Sequence, residues 1–471
     1  MLKFFDRNKY SGIIFISWLF LWLSLGIVPT NLNNKLYTYK DLINFLRVYM
    51  PLFFSVSLLL IISIKYLRFF NHYKKNSLTI VNLFIIYFLF QIIGLYQNSF
   101  SQFNIENLYL IILGFCTIEI LIINQFLNKN INLEYLLYTS LILCILYSSY
   151  FFFSNFINHN YYSLHDIFTV KIRGYYDINL DKNFFLENIV PRSTGISRTF
   201  GLINISIFVY LFFVKKKNNY ILYFVSIIYT SLIWLLQSRG SIVIFFTTTI
   251  LIIFLAKKIY LKKKILIILC LLFLPIILSE TILLLGKNFK SSNLIFFSLD
   301  KNFNLTLNKD LRKELINNRV LSDQSSSGRI EIWNEALKLF EKNKVFGYGP
   351  QGDRFILKKS EVMDKFYNNS SNALIYSLLS GGYFGILVMF LIYLNIIFKI
   401  YICLKKLKIF DNYNQITLKL SVCYIIFFLI RSLFENSFSL FSIDFMIFIL
   451  SGTYIENYLK TIPTYRLKVL K

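Results

Sequence analysis

Long apolar stretches dominate the chain, and short polar gaps separate them. A helix that crosses a bilayer needs about 20 mainly apolar residues, and twelve stretches of that kind occur in the sequence. The pattern predicts an all-α polytopic membrane protein with about 12 transmembrane helices. The stretches are residues 11–29, 48–64, 78–95, 107–125, 133–153, 199–214, 219–237, 240–256, 265–285, 372–398, 416–434 and 437–456.

Basic residues fall in alternate gaps, which orients the predicted spans. Cytoplasmic loops collect Lys and Arg, so the pattern places both termini inside and two long gaps outside. Loops of that length tend to carry function. The predicted regions are a five-span bundle over 1–153, a first long outer loop over 154–198, spans six to nine over 199–285, a large outer loop over 286–371, and three spans with a cytoplasmic tail over 372–471.

Composition supports a membrane protein and excludes other classes. Of the 471 residues, 56% are hydrophobic and only 16% are charged, against about 25% charged in soluble domains. The net charge of +26 does not indicate a nucleic-acid partner, because the lysine runs lie in the inner gaps where they meet membrane lipids. The five cysteines suggest neither a disulfide framework nor a metal site, and no nucleotide-binding motif or cofactor site is predicted.

Arginine is concentrated in the predicted outer gaps, whereas the inner gaps carry mainly lysine. The positive-inside rule treats both residues alike, so it does not explain this difference. A guanidinium binds phosphate or carboxylate with a planar fork of donors, whereas an ammonium offers a point charge. The outer face is therefore predicted to bind an anion, with solvated surface arginines as the alternative.

An amphipathic helix is predicted near residues 329–342, within the large outer loop. Ile332, Trp333, Ala336 and Phe340 recur at helical spacing, which gives the helix one apolar face. Arg329 would lie at the helix N-terminus, where free amides favour an anion. These residues alone leave a structural loop helix and an anion site as equal alternatives.

Several short motifs surround this helix in the sequence. They are Arg192-Ser-Thr-Gly195 before a span, Gln237-Ser-Arg-Gly240 at a tight outer turn, Gly328-Arg329 with Trp333 and Ala336-Leu337, Phe346-Gly-Tyr-Gly349, and Asn372 before a span with Gly381, Gly382 and Gly385. Glycine lets the backbone approach a ligand or another loop closely, although each motif alone is a weak signal.

In order, spacing and sidedness this series resembles the bacterial O-antigen ligase and O-antigen polymerase superfamily, over roughly residues 185–440. The resemblance implies a GT-C-like bundle and a glycosyltransferase in the bacterial inner membrane, with its active face periplasmic. It implies an undecaprenyl-diphosphate-linked glycan as donor, an acceptor glycan or lipid A core as acceptor, and no cofactor or metal. The diphosphate-binding role is carried over to Arg239 and Arg329 first, and then to Arg192 and Arg198.

One position departs from the family pattern. The ligases place a histidine, regarded as the base, just before the asparagine that opens this span, and here that position is Ser371, which cannot act as a base by itself. The candidates for a base are His165 in the first outer loop, where a solvated histidine is the favoured interpretation, together with Glu361 and Asp364.

Further polar residues lie near the predicted site. Ser371 and Asn372 open the tenth span and are candidates for contact with substrate. Arg431 and Glu435 are spaced i, i+4 at the outer end of the eleventh span, which fits a helix-side ion pair. That pair could orient substrate, although internal structural pairing is the favoured interpretation.

The sequence is therefore predicted to encode a lipid-linked glycan polymerase of O-antigen or another surface polysaccharide. A ligase that transfers to lipid A core is the nearest alternative, since only Ser371 separates the two. A transporter or flippase is the alternative from another class, because twelve spans with both termini inside suit a carrier. Carriers tend to be built from repeated halves, and the long outer loops have no counterpart in the first half of the chain.

Overall fold

The structure is a computed structural model that describes residues 18, 53, 79–99, 114, 116–121, 130–157, 193–213, 219–235, 239–255, 260–288, 297–299, 305–307, 329–359, 370–406, 409, 415–435, 438–439 and 442–461. The elements within these residues are almost all helical. They are α1 (Ile80–Ser99), α2 (Asn130–Ile157), α3 (Ser193–Phe213), α4 (Tyr220–Leu235), α5 (Arg239–Leu255), α6 (Leu261–Ile268), α7 (Leu274–Asn288), β1 (Phe297–Leu299), β2 (Leu305–Leu307), α8 (Arg329–Phe340), α9 (Gly352–Lys359), α10 (Ala373–Tyr401), α11 (Ile416–Ser432) and α12 (Ile443–Thr461).

Helices of membrane-spanning length confirm that this is a helical membrane protein. Among the described residues, four helical segments are long and apolar enough to cross a bilayer, and Leu133–Leu146, Tyr220–Leu235 and Gly240–Leu255 form shorter apolar helices. The number of twelve spans and the orientation of the termini stay predictions. The four segments are Ile80–Gln97, Gly195–Phe213, Lys264–Thr281 and Ala373–Lys405.

The large loop contains a feature that the all-α prediction missed. Strands β1 and β2 pair antiparallel, with Phe297 opposite Leu307 and Leu299 opposite Leu305. Each strand has only three residues, and a two-stranded hairpin is marginal without further packing. A segment this short does not give a periodic pattern long enough to be recognised against the apolar background of the chain.

The described residues divide into two compact units. One unit comprises Met1–Ser140, Ser326–Ile409 and Thr417–Lys471, and the other comprises Leu141–Ser325 and Phe410–Ile416. In the first unit α10 packs against α1, α8, α9 and α12. Its core contains edge-to-face aromatic pairs, such as Phe84 with Phe445 at 5.0 Å between ring centroids, a geometry that adds to the stabilisation from burial.

The first unit also has a polar cluster where α1 begins. The Glu456 carboxylate accepts a hydrogen bond of 2.7 Å from the Ile80 backbone amide and forms an ion pair with Lys399. An acidic side chain satisfies free amides at a helix N-terminus and complements the helix dipole. The cluster therefore fastens the ends of α1, α10 and α12 to one another.

In the second unit, α4 packs against α3 and α7. Trp234 donates a hydrogen bond of 2.8 Å to Glu280, which gives this apolar helix pair one fixed polar contact. A π-helical segment at Leu269–Phe273 separates α6 from α7, two residues before Pro275. Proline lacks an amide hydrogen and crowds the preceding turn, so a change of helical geometry is expected there.

The first unit contains a break inside α10. Gly382 has φ +63° and ψ −155°, which interrupts the helix, and glycine adopts this left-handed region without steric cost. The turn at 345–349 packs into the break: the amide of Tyr348 donates to the Leu379 carbonyl at 2.7 Å, and the amide of Gly349 donates to the Ser380 carbonyl at 3.0 Å. The loop thus supplies hydrogen bonds that the interrupted helix no longer makes.

Candidate functional site

Helix α8 is the amphipathic helix that the sequence predicts, and it runs over Arg329–Phe340. Ile332, Ala336 and Phe340 are buried and form one core cluster with Leu357 of α9 and Leu379 of α10. Burying side chains of this size contributes about 1.5–3 kcal/mol each for the larger ones. The apolar face therefore fixes α8 on the first turns of α10.

Arg329 is the first residue of α8, and its guanidinium contacts a residue that follows α11. Its Nη2 lies 3.2 Å from Oε1 of Glu435, and the two side chains retain 24% and 17% of their exposure. Exposed and partly exposed ion pairs contribute only about 0.2–1 kcal/mol. The contact orients Arg329 at low energetic cost and leaves it accessible to a stronger anion.

The turn before α10 is held from two sides. The buried Asp353 carboxylate of α9 accepts two hydrogen bonds of 2.9 Å from Ser370, one from its amide and one from its hydroxyl. Trp333 of α8 donates a hydrogen bond of 2.8 Å to the Ser370 carbonyl. Ser371 follows with φ +46°, an unfavourable value for a residue with a side chain, which persists where the surroundings determine it.

Asn372 is the N-cap of α10. Its Oδ1 accepts hydrogen bonds from the amides of Leu374 at 2.8 Å and Ile375 at 3.2 Å, which satisfies two of the free donors at the helix start. Its Nδ2 donates to the Leu433 carbonyl at 3.0 Å. Asn372 therefore joins α10 to the end of α11, two residues before Glu435.

Arg431 and Glu435 form different ion pairs from the i, i+4 pair that their spacing suggests. Arg431 is buried, and its Nε lies 2.9 Å from Oδ2 of Asp444 at the start of α12, whereas Glu435 pairs with Arg329. The helix ends at Ser432, although the Glu435 amide still donates a hydrogen bond of 2.8 Å to the Arg431 carbonyl. Arg431 therefore forms an internal ion pair, as the favoured interpretation has it, but its partner is Asp444 and not Glu435.

The Phe346-Gly-Tyr-Gly349 motif has a structural role in this arrangement. The Tyr348 hydroxyl donates to the Leu339 carbonyl at 2.8 Å, which ties the turn to the end of α8. Burial raises the pKa of this hydroxyl above its ordinary value, so it stays protonated as a donor over the physiological range. The rings of Phe90, Phe346 and Phe384 stack on one another, with centroid distances of 5.0–6.2 Å.

The structure thus brings together a group of predicted residues at one end of the first unit. Arg329 and Glu435 form an ion pair, and Asn372 is bonded to the backbone just before Glu435. Ser371 lies between Asn372 and Ser370, which is held by hydrogen bonds to Asp353. A guanidinium, a carboxylate and a fixed polar turn therefore meet where α8, α10 and α11 come together.

Other predicted residues are not part of this group. Arg198 lies on α3 and is half-buried, and Arg239 begins α5; both belong to the second unit. The residues Arg192, His165, Glu361 and Asp364 fall outside the described part of the chain.

Asp353 is a polar residue of the site that the sequence analysis missed. A buried carboxylate is costly unless it is hydrogen-bonded, and here Ser370 supplies the donors. Its signal in the sequence is weak: an acidic residue just after the glycine-rich turn, where it can open a helix. Within the described residues, no cluster of three or more His, Cys, Asp or Glu side chains is arranged to hold a metal ion.

These features define a helical membrane protein whose amphipathic loop helix places an arginine beside the polar start of a broken, apolar helix. Residues 224–390 match a family model described as O-antigen ligase. The match confirms the resemblance to the O-antigen ligase and polymerase superfamily. No curated protein sequence matches the chain.

The matched segment covers the part of the site that carries Arg329, the glycine-rich turn, Ser371 and Asn372, and it also contains Arg239. It supports a glycosyl-transferring membrane enzyme of the O-antigen type in general. Arg192, Arg198, Arg431 and Glu435 lie outside this segment.

Proposed function

We propose that this protein is a membrane glycosyltransferase that uses an undecaprenyl-diphosphate-linked oligosaccharide as donor and polymerises it at the periplasmic face of the bacterial inner membrane. Arg329 binds the donor diphosphate, and the family resemblance keeps Arg239, Arg192 and Arg198 as further candidates for diphosphate binding. The acceptor is a second glycan, and no cofactor or metal takes part.

The observation that carries this proposal is the position of Arg329. It opens α8, where the free amides of the helix and the guanidinium favour the same anion. It lies in the segment that matches the O-antigen ligase family. Its ion pair with Glu435 is partly exposed, so a diphosphate with several negative oxygens competes well for it.

The chemistry that follows is electrostatic. Transfer breaks the bond between the anomeric carbon and the diphosphate oxygen, and negative charge develops on the leaving diphosphate. A guanidinium that is already oriented stabilises this charge without rearrangement, and loss of one such donor typically costs about 10²–10³ in rate.

The same site could serve a ligase that transfers the glycan to lipid A core, and the description of the matching family favours that alternative. The residue before Asn372 favours a polymerase, because Ser371 stands where the ligases carry a histidine. Deletion of the gene separates the two: loss of a polymerase leaves a single repeat unit on lipid A, whereas loss of a ligase leaves lipid-linked polymer unattached.

The proposal is tested with Arg329→Lys and Arg239→Lys, which keep the charge and remove the fork of donors. We expect either variant to abolish glycan extension in cells while the protein still inserts into the membrane. Lys338→Gln on the same helix is the control, since Lys338 is 75% exposed. Normal glycan length at normal protein level in the arginine variants would contradict the proposal.

A further inference from the structure

We propose that Glu435 is the general base that removes the proton from the acceptor hydroxyl, and that binding of the donor diphosphate to Arg329 releases it for this role. The inference rests on the proposed function and assigns the base that neither the family resemblance nor the sequence provides.

The position of Glu435 is the first argument. Its carboxylate lies 3.2 Å from the guanidinium of Arg329, the group that holds the leaving diphosphate. Two residues earlier, the Leu433 carbonyl is bonded to Asn372, which follows Ser371 at the position where the ligases carry their histidine. Glu435 therefore stands beside both the anion-binding arginine and the turn from which the base of the ligases extends.

The other described carboxylates near this turn are already engaged. Asp353 is fully buried and accepts two hydrogen bonds from Ser370. Asp444 is buried against Arg431. Glu335 pairs with Lys338 one turn along α8. Glu435 keeps 17% of its side-chain exposure, so an acceptor sugar can reach it, which the buried carboxylates do not allow.

The charges around Glu435 explain why it becomes active only when the donor is bound. The guanidinium of Arg329 approaches Glu435 from α8. A second guanidinium, that of Arg431, belongs to the same stretch of chain as Glu435 and is paired with Asp444. In the free protein, the ion pair with Arg329 occupies Oε1 of Glu435. A diphosphate that takes over Arg329 opens this ion pair, so the same carboxylate oxygen can accept the hydrogen bond of the acceptor hydroxyl.

The reaction step balances with these groups alone. The acceptor hydroxyl gives its proton to the Glu435 carboxylate, and its oxygen forms the new bond to the anomeric carbon. The bond from that carbon to the diphosphate oxygen breaks, and its electron pair leaves with the lipid diphosphate, held by Arg329. Glu435 then gives the proton to solvent. A single displacement of this kind inverts the configuration at the anomeric carbon.

The test compares Glu435→Gln, Glu435→Asp and wild type, purified and reconstituted with a synthetic undecaprenyl-diphosphate oligosaccharide. Binding of the donor and formation of glycosidic bonds are measured separately. We expect Glu435→Gln to bind the donor at least as tightly as wild type, because Arg329 has lost its competitor, and to transfer about 10²–10⁴-fold more slowly. Glu341→Gln is the control, since Glu341 is exposed at the end of α8.

Chemical rescue distinguishes a base from a counter-ion. Glu435→Asp should keep part of the transfer activity, because it retains a carboxylate. Formate should partly restore transfer in Glu435→Ala.

The outcomes separate the base from the proposed function. Rapid transfer by Glu435→Gln, or loss of donor binding in that variant, would overturn the role of Glu435 while wild-type activity stands. A wild-type protein that forms no glycosidic bond from this donor would overturn the proposed function and the base together.

Discussion

Asp353 and Ser370 are joined by two hydrogen bonds of equal length, 2.9 Å, from the amide and the hydroxyl of the serine to a single carboxylate oxygen. Both residues are fully buried. The pair connects the start of α9 to the turn before α10, and Trp333 completes it from α8. The polar turn of the site is thus positioned by contacts that lie beneath it.

Asp353→Ala should destabilise the protein, because it leaves the buried Ser370 amide without this acceptor and leaves the Ser370 hydroxyl with only a longer bond of 3.3 Å to the Asn372 carbonyl. Each buried group left unpaired costs about 1–3 kcal/mol. Asp353→Asn should cost less, since the amide keeps one oxygen in place. Thermal unfolding in detergent, followed by tryptophan fluorescence, measures the difference, and equal stability of both variants and wild type would contradict it.

Gly382→Ala should disrupt the junction between α10 and the 345–349 turn. A Cβ at this position would collide with the Val345 carbonyl, and φ is +63°. Residues forced into such a region cost about 1–3 kcal/mol, and the collision adds to this. The neighbouring Gly381→Ala is a matched control, because its Cβ would meet Gln91 Cγ at an ordinary 3.7 Å. The yield of folded protein from membranes should fall for Gly382→Ala only.

Substitutions can separate the two roles of Asn372, which are to cap α10 and to bond to the Leu433 carbonyl. Asn372→Ala removes the N-cap, which typically costs about 1 kcal/mol, together with the bond to Leu433. Asn372→Asp keeps a capping oxygen and loses only the donor to Leu433. We expect Asn372→Asp to retain most of the thermal stability and to lose transfer activity, since the segment after α11, which carries Glu435, is no longer held. Full activity in Asn372→Asp would show that this bond does not position Glu435.

The buried pair of Arg431 and Asp444 should behave as a unit. Removing one partner of a buried ion pair costs about 3–5 kcal/mol, whereas replacing both by apolar residues is often neutral. Arg431→Met and Asp444→Leu should each destabilise strongly, and the double variant should recover most of the loss. A double-mutant cycle of thermal stability measures this coupling; additive losses would argue against it.

Transfer activity of that double variant adds a second readout. If Arg431 only holds α11 to α12, activity should return with stability. If Arg431 also orients substrate, which is the alternative to internal pairing that its position suggests, the recovered protein should stay inactive.

The sequence predicts the elements of this protein well where a long pattern specifies them. The apolar spans and the amphipathic α8 follow from periodicity over many residues, so the range near 329–342 agrees with the helix at Arg329–Phe340. The role of the glycine-rich turn was harder to predict. Its partner, the break at Gly382, lies more than 30 residues further along the chain.

The pairing between charged residues was the part of the site that the sequence predicted least well. The spacing of Arg431 and Glu435 suggested a mutual ion pair, whereas each of them forms its ion pair with a residue on another element. Asp353 gave almost no signal, because its importance comes from Ser370, which folding brings next to it. Local patterns identify which residues are polar, whereas tertiary packing decides which of them meet.

The docking of the 345–349 turn into the interrupted helix has a consequence for engineering. Each half of this junction depends on the other. Amides of the loop donate hydrogen bonds to the Leu379 and Ser380 carbonyls, and the absence of a Cβ at Gly382 allows the loop to approach the helix. Chimeras with related transferases should therefore exchange residues 345–349 and 379–383 together, because a foreign loop on a native helix, or the reverse, would meet a mismatched partner.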